Sequence, residues 1–247
     1  MHSEEAALPR TSVLEEWLDN PIWSALTTDH VEFAVGGALA RRYQEEIGPL
    51  SGMAAQSDAA YEELRSLADP GRMLGLFLRE EPRPAAGWTL VRGGRLHQMI
   101  AHEPRLTETD TRAEPPADAT LRTLTQEDAP AMVELAELTE PGPFRLRTME
   151  LGDFFGIFHG DRLMSMAGMR LQVPGATEVS AVCTHPEARG RGYARMLMAR
   201  VMERIVAAGR TPFLHTLAEN TGAIRIYESL GFTVRQSFAL AVVKLEE

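Results

Sequence analysis

Read for periodicity, the chain opens as short apolar runs broken by glycine and proline. Residues 12–18 read as a short helix with Ser12 as N-cap. Segments 31–35, 39–43 and 50–54 read as strands, divided by Gly36-Gly37 and Gly48-Pro49. Ser57 caps a clearer helix that ends at Asp69-Pro70-Gly71. Three more strands are expected at 72–78, 88–91 and 96–100, the last two folding back at Gly93-Gly94 as a hairpin. Residues 103–120 are rich in proline, threonine and acids and carry no apolar period, so they read as a linker. A boundary near Pro115 and Pro116 divides the chain into an α/β domain over 1–114 and a second domain over 115–247.

The second half is more regular. A strand at 121–124 and a helix at 126–138 precede a hairpin, 154–159 and 163–171, turning at Gly160-Asp161. A strand follows at 178–184. A long amphipathic helix, 192–208, stops at Gly209, a good residue just past a helix end. Next come a strand at 213–217, a helix at 220–230 closed by Gly231, and two strands at 232–235 and 238–245. Mixed order of this kind predicts an α/β (α+β) fold on a largely antiparallel sheet.

Composition narrows the partners. Of 247 residues, 44% are hydrophobic and 24% charged, enough for a core without disulfides or a structural metal. The net charge of -10 argues against nucleic acid or an anionic membrane as a general partner. No apolar run approaches the ~20 residues of a membrane span, and the acidic start, MHSEEAALPR, lacks the order of a signal peptide. A soluble, cytoplasmic monomer or homodimer is the expectation. One cysteine, Cys183, excludes an internal disulfide and a multi-cysteine zinc site.

Candidate chemistry concentrates after the strand at 178–184. There Arg189-Gly190-Arg191-Gly192-Tyr193-Ala194 opens the long helix. Glycines at a helix start let backbone approach a ligand, and the first-turn amides have no intrahelical partner. With the helix dipole and two arginines they suit a pyrophosphate. The chain has neither G-x-x-x-x-G-K-[ST] nor a G-x-G-x-x-G with its downstream acid, so a P-loop or a Rossmann dinucleotide site is not expected.

Arg189-x-x-Gly192-x-Ala194 resembles the [QR]-x-x-G-x-[GA] signature of the GNAT N-acetyltransferases. The segment from Asn220 through Ala223 and Tyr227 to Gly231-Phe232 resembles that family's N-x-x-A-x-x-x-Y-x-x-x-G-F pattern. The resemblance covers about residues 119–245. It implies a GNAT fold that binds acetyl-CoA as co-substrate where the strands at 178–184 and 213–217 splay apart. Backbone at Val182, Cys183 and Thr184 would pair with the pantetheine arm, amides from Arg189 to Ala194 would hold the pyrophosphate, and Asn220 would contact the arm.

By the same resemblance Tyr227 is the general acid that protonates the leaving thiolate, in a direct attack by an amine. Tyr227 as a core aromatic is the alternative. Glu178, eleven residues before Arg189, is the candidate base, as in some family members; a solvated strand charge with a water chain as base is the alternative. Strict alternation puts Glu178, Ser180, Val182 and Thr184 on one strand face and Val179, Ala181 and Cys183 on the other. Cys183 is therefore read as core, and His159, His185 and His215 as structural or surface residues with no metal-ligand spacing. The first half loosely echoes the element order of the second, which implies a tandem GNAT whose N-terminal copy is degenerate and non-catalytic. A small-molecule amine is the expected acceptor. A protein N-terminus or lysine, or acyl-CoA sensing without turnover, are the alternatives.

Overall fold

The computed structural model describes residues 11–111 and 113–246. Residues 1–10, on which the signal-peptide expectation rests, and the Ser12 side chain lie outside the described residues. Helices α1 (Thr11–Asp19) and α2 (Pro21–Thr27) lead into a small antiparallel sheet of β1 (Ala34–Gly36), β2 (Ala40–Tyr43) and β3 (Ser51–Met53). Helix α3 (Asp58–Ser66) is capped by the Ser57 hydroxyl accepting from the Ala60 amide. Then come β4 (Met73–Leu78), β5 (Trp88–Ile100), the single turn α4 (Glu108–Thr111), β6 (Thr120–Thr123) and α5 (Ala129–Thr139). The rest runs β7 (Phe154–His159), β8 (Arg162–Val173), β9 (Ala176–Thr184), α6 (Tyr193–Ala207), β10 (Thr211–Leu217), α7 (Thr221–Ser229) and β11 (Thr233–Leu245).

Eight strands form one sheet in the order β4-β11-β5-β10-β9-β8-β7-β6. Its pairs are antiparallel except β10 with β9. The sheet crosses the expected 114/115 boundary without a break, because β5 hydrogen-bonds to β10 on one edge and β11 on the other. The expected linker is held down as well: Asp110 pairs with Arg195 at 2.8 Å and Asp118 with Arg191 at 3.3 Å.

The glycine hairpin at 93–94 does not form. Gly93 and Gly94 pair with Ala241 and Leu240 inside one continuous 13-residue strand, β5. The two expected C-terminal strands likewise merge into β11, whose pairing shifts register between Val234 and Gln236. Each glycine pair or polar break is carried through by a partner strand from the other half of the chain, a long-range pairing that local turn propensity does not register.

The halves repeat one order of elements. β1-β2-β3, α3, β4 and β5 run like β7-β8-β9, α6, β10 and β11, with α7 added before the last strand. Each half contributes its last long strand to the other: β11 lies beside β4, and β5 beside β10. The repeat extends to the parallel pairs, since β3 and β4 meet in a parallel bridge at Leu50 and Gly75 as β9 and β10 do near their starts. No described helix is long and apolar enough to cross a membrane.

One buried pair ties the first half to acid stability. The Nδ1 of His30 lies 2.7 Å from the Tyr43 hydroxyl. Burial, with Arg210 nearby, outweighs Asp29 and lowers the His30 pKa to about 4. A base with a depressed folded pKa leaves the unfolded chain binding more protons between about 4 and 6.5, so stability falls as pH falls through that window. The drop amounts to roughly 3 kcal/mol. Urea midpoints at pH 7.0, 5.5 and 4.5 check this, and His30→Gln is expected to flatten the profile between the first two.

Candidate active site

Strands β9 and β10 run parallel but pair at only three positions, Ala176 with Thr211, Thr177 with Pro212 and Glu178 with Phe213. Beyond Glu178 they part, and β9 runs on to Thr184 while β10 turns to β5 for its partners. This leaves a fork whose β9 edge carries Val182, Cys183 and Thr184, in the place where the sequence put a splay.

The alternation expected along β9 fails at one residue. Ala181 has φ of +51°, and between the pairs Met166–Cys183 and Gly168–Ser180 the β9 strand holds one residue more than β8. The bulge resets the faces. Val179 and Val182 both lie on the α6 side, while Ala181 and Cys183 share the opposite cluster with α5. Cys183 is buried there, and burial pushes its thiol up to about 11. That keeps it an inert core thiol, although on the other face from Val179.

At the wide end of the fork, the residues before α6 form a cradle. Gly190 and Gly192 both take φ of +79°, a left-handed conformation that favours glycine. A Cβ on either would meet nothing within 4 Å, so open space lies in front of them. Among the described residues, no acceptor takes a hydrogen bond from the amides of Gly190, Arg191 or Gly192. The first-turn amides of Tyr193 and Ala194 add to that row. Arg189 is exposed at the mouth, and Arg191 reaches Asp118 at 3.3 Å. The Tyr193 ring turns inward to His159, 2.8 Å from its hydroxyl.

Helix α7 packs beside the fork and carries Asn220 and Tyr227. The Asn220 side chain accepts from the Ala223 amide at 3.3 Å and so serves as the helix cap. Tyr227 lies half-buried against the core next to Thr216 of β10; burial raises its phenol to about 12, with the Thr216 hydroxyl pulling the other way. The phenol therefore keeps its proton at neutral pH.

Glu178 stands at the apex where the strands part. It is 1% exposed, with Arg170 Nε 2.8 Å from Oε2 and Arg170 Nη2 2.9 Å from Oε1. His215 Nδ1 lies 2.7 Å from Oε1, and the Leu171 amide donates to Oε2. Burial opposes the charge, but Arg170 and His215 win and hold the carboxyl at about 2. A carboxylate so engaged is a poor acceptor for an ammonium proton at neutral pH. Its geometry favours bracing the fork over acting as base.

Overall likeness decides the family. A structure from Novosphingobium aromaticivorans assigned to the GNAT acetyltransferases is 35% identical, covering 93% of this chain and 99% of its own at a TM-score of 0.83. The chain belongs to the GNAT family. Within it, residues 154–240 match the family of FR47-like proteins, a span that runs from β7 into β11 and contains both the cradle and α7. The GCN5-related N-acetyltransferase of Kribbella flavida shares the fold at 18% identity, covering 91% of this chain and 94% of its own, with a TM-score of 0.59. A tandem GNAT protein from the clavulanic acid pathway shares it at 14% identity, covering 86% and 80%, with a TM-score of 0.56. No curated protein matches the sequence significantly.

Two features of this GNAT enzyme escape a sequence reading. Arg170 is the partner that explains Glu178, and its signal was a lone arginine within the apolar strand LMSMAGMRLQV. Of the structural and surface readings open for His215, the structural one holds; its side chain is buried between β9 and the aromatic rings of Phe77, Phe213 and Phe238, where it meets Glu178. No cluster able to hold a metal occurs among the described residues. On the face opposite α6, the loop after α5 roofs the bulge: Pro141, Gly142 and Phe144 enclose a cavity of about 10 Å³ with Arg170, Ser180 and Ala181.

Proposed function

We propose that this GNAT enzyme transfers an acetyl group from acetyl-CoA to the primary amine of a small molecule by direct attack. The observation that carries the reading is a single alignment of parts: a strand fork, a row of free amides at its wide end, and a protonated tyrosine beside it. Backbone groups at Val182 and Thr184, flanking Cys183, offer a strand edge to the amides of the pantetheine arm; the Cys183 carbonyl itself faces β8 and accepts from the Ser165 hydroxyl at 2.8 Å. The amides from Gly190 to Ala194 and the side chains of Arg189 and Arg191 offer donors and positive charge to the pyrophosphate, while the Arg189 amide is taken by the Pro186 carbonyl at 3.3 Å. Asn220, with its oxygen engaged in the cap, offers its amide nitrogen to the arm.

In the reaction the amine nitrogen attacks the thioester carbonyl, a C–N bond forms and the C–S bond breaks. Tyr227 supplies the proton to the departing thiolate. The amine must first lose its own proton, which we assign to water rather than Glu178, because both oxygens of that carboxylate are already bonded. The cavity beneath Pro141–Phe144 is the acceptor side of this scheme, and at about 10 Å³ it must widen to admit an amine.

Calorimetric titration with acetyl-CoA, with ATP and NAD as controls, tests the reading. Selective binding with turnover of small amines supports it. Turnover of peptide N-termini alone would move the acceptor to proteins, and binding without any turnover would make the chain a sensor. Gly192→Val tests the cradle: a β-branched residue at positive φ costs about 1–3 kcal/mol, and its side chain enters the space before the amides. The acetyl-CoA Kd is expected to rise by about tenfold or more, and an unchanged Kd would remove the cradle from the scheme.

A further inference from the structure

The first half contains a second fork. Strands β3 and β4 meet only at the parallel bridge of Leu50 with Gly75, where the Gly75 amide donates to Pro49 at 2.9 Å. Beyond it they part, and a cavity of about 330 Å³ opens between Ser51–Met53 of β3 and Leu76–Leu78 of β4. The outer edges of both strands are used, β3 by β2 and β4 by β11; of the edges turned to the cavity, that of β3 is partly taken, with Asn20 Nδ2 donating to the Met53 carbonyl at 2.7 Å, and that of β4 has no strand partner there. Ser51 borders it with its backbone; the side chain is 1% exposed and its hydroxyl is enclosed by the protein rather than open to the cavity.

The surroundings exclude phosphates. Helix α3, which stands where α6 stands in the other half, has its N-terminus closed by Ser57 and carries Asp58 in its first turn. No glycine or arginine occupies the Ala54–Ser57 connection. Gln56 spans the wide end, donating to the Glu81 carbonyl at 3.1 Å and accepting from the Arg83 amide at 2.6 Å. The charged lining is paired within the protein, Arg79 with Asp19 at 2.7 Å and Glu80 with Arg83 at 3.6 Å.

From this we infer a second, non-catalytic ligand site between β3 and β4, for a small, extended, phosphate-free molecule bearing amide groups, such as a blocked amino acid or dipeptide. Its amides pair with the open edge of β4 as an added strand does. The volume lies at the small end of the range for ligand pockets. Phe77 forms one wall and lies 4.8 Å, ring to ring, from His215, so the site borders the apex of the catalytic fork.

The test is calorimetric titration of the full chain with N-acetyl amino-acid amides, which have no amine to be acetylated, in the presence of saturating acetyl-CoA. One saturable site per chain is expected. Ala55→Trp, an exposed position on the lining, is expected to abolish it while acetyl-CoA binding stays unchanged. Absence of binding at millimolar ligand, binding indifferent to Ala55→Trp, or a second CoA per chain that competes with the amides would each overturn the inference. None of these outcomes depends on whether the enzyme turns over amines.

Discussion

Tyr227→Phe is expected to bind acetyl-CoA with wild-type affinity and to lose about 10²–10⁴-fold in kcat, the range ascribed to one positioned acid or base. The phenol has only a hydroxyl to lose, and the ring that packs against Phe232 and the core is retained by phenylalanine. Folding is therefore expected to be unchanged within about 1 kcal/mol. The phenol pKa of about 12 makes a second prediction of the same role. Up to pH 10 the wild-type kcat is expected to show no downturn from loss of this proton, since the acid stays protonated. Steady-state kinetics with a saturating amine checks both, and full activity in Tyr227→Phe would return Tyr227 to the core.

The parts of the site that lie within one stretch of chain were legible in the sequence. Gly190, Gly192 and the helix behind them obey local rules: glycine for positive φ, free amides at a helix start. Asn220 and Tyr227 sit a fixed number of residues apart on one short helix. The fork itself follows from the strand–helix–strand order that forces β9 and β10 to be parallel. What failed was set by distant partners. Gly93-Gly94 has every local mark of a turn, yet β11 and β10 supply both edges of an unbroken strand. The faces of β9 could not be assigned by alternation, because one extra residue at Ala181 against β8 reverses them. Glu178 read as a general base or a solvated strand charge because its neutralising partner, Arg170, lies on another strand and its third contact, His215, on a third.

The same reasoning explains why the first half resisted a functional reading. Its duplicated order shows loosely in the sequence, but the exchange of β5 and β11 between the halves leaves no local mark. It also means that neither half can be cut away intact. Truncation at 114/115 would leave β10 with one unpaired edge and β11 with neither of its partners, β4 and β5.

Arg170→Leu is expected to be the most destabilising single change considered, by roughly 3–5 kcal/mol, because it leaves a buried carboxylate without its counter-charge. In the wild type the Glu178 carboxyl is held at about 2, so its contribution is complete above its ordinary value near 4.5 and is lost as pH falls toward 2. Without Arg170 the remaining influence of burial raises that pKa, and the sign reverses: the variant's Glu178 is expected to contribute a gain in stability on acidification, set against the loss that His30 brings between about 6.5 and 4. Pairing the change with Glu178→Gln removes the orphaned charge and is expected to recover most of the loss, since removing both ions of a buried pair is often close to neutral. Urea denaturation of the two single variants and the double variant measures this coupling. A double variant no more stable than Arg170→Leu would mean that Arg170 contributes through packing rather than charge. If Glu178→Gln instead kept its stability but lost activity with a shifted pH profile, the carboxylate would have to be returned to the proton path, and the fork would owe its shape to Arg170 and His215 alone.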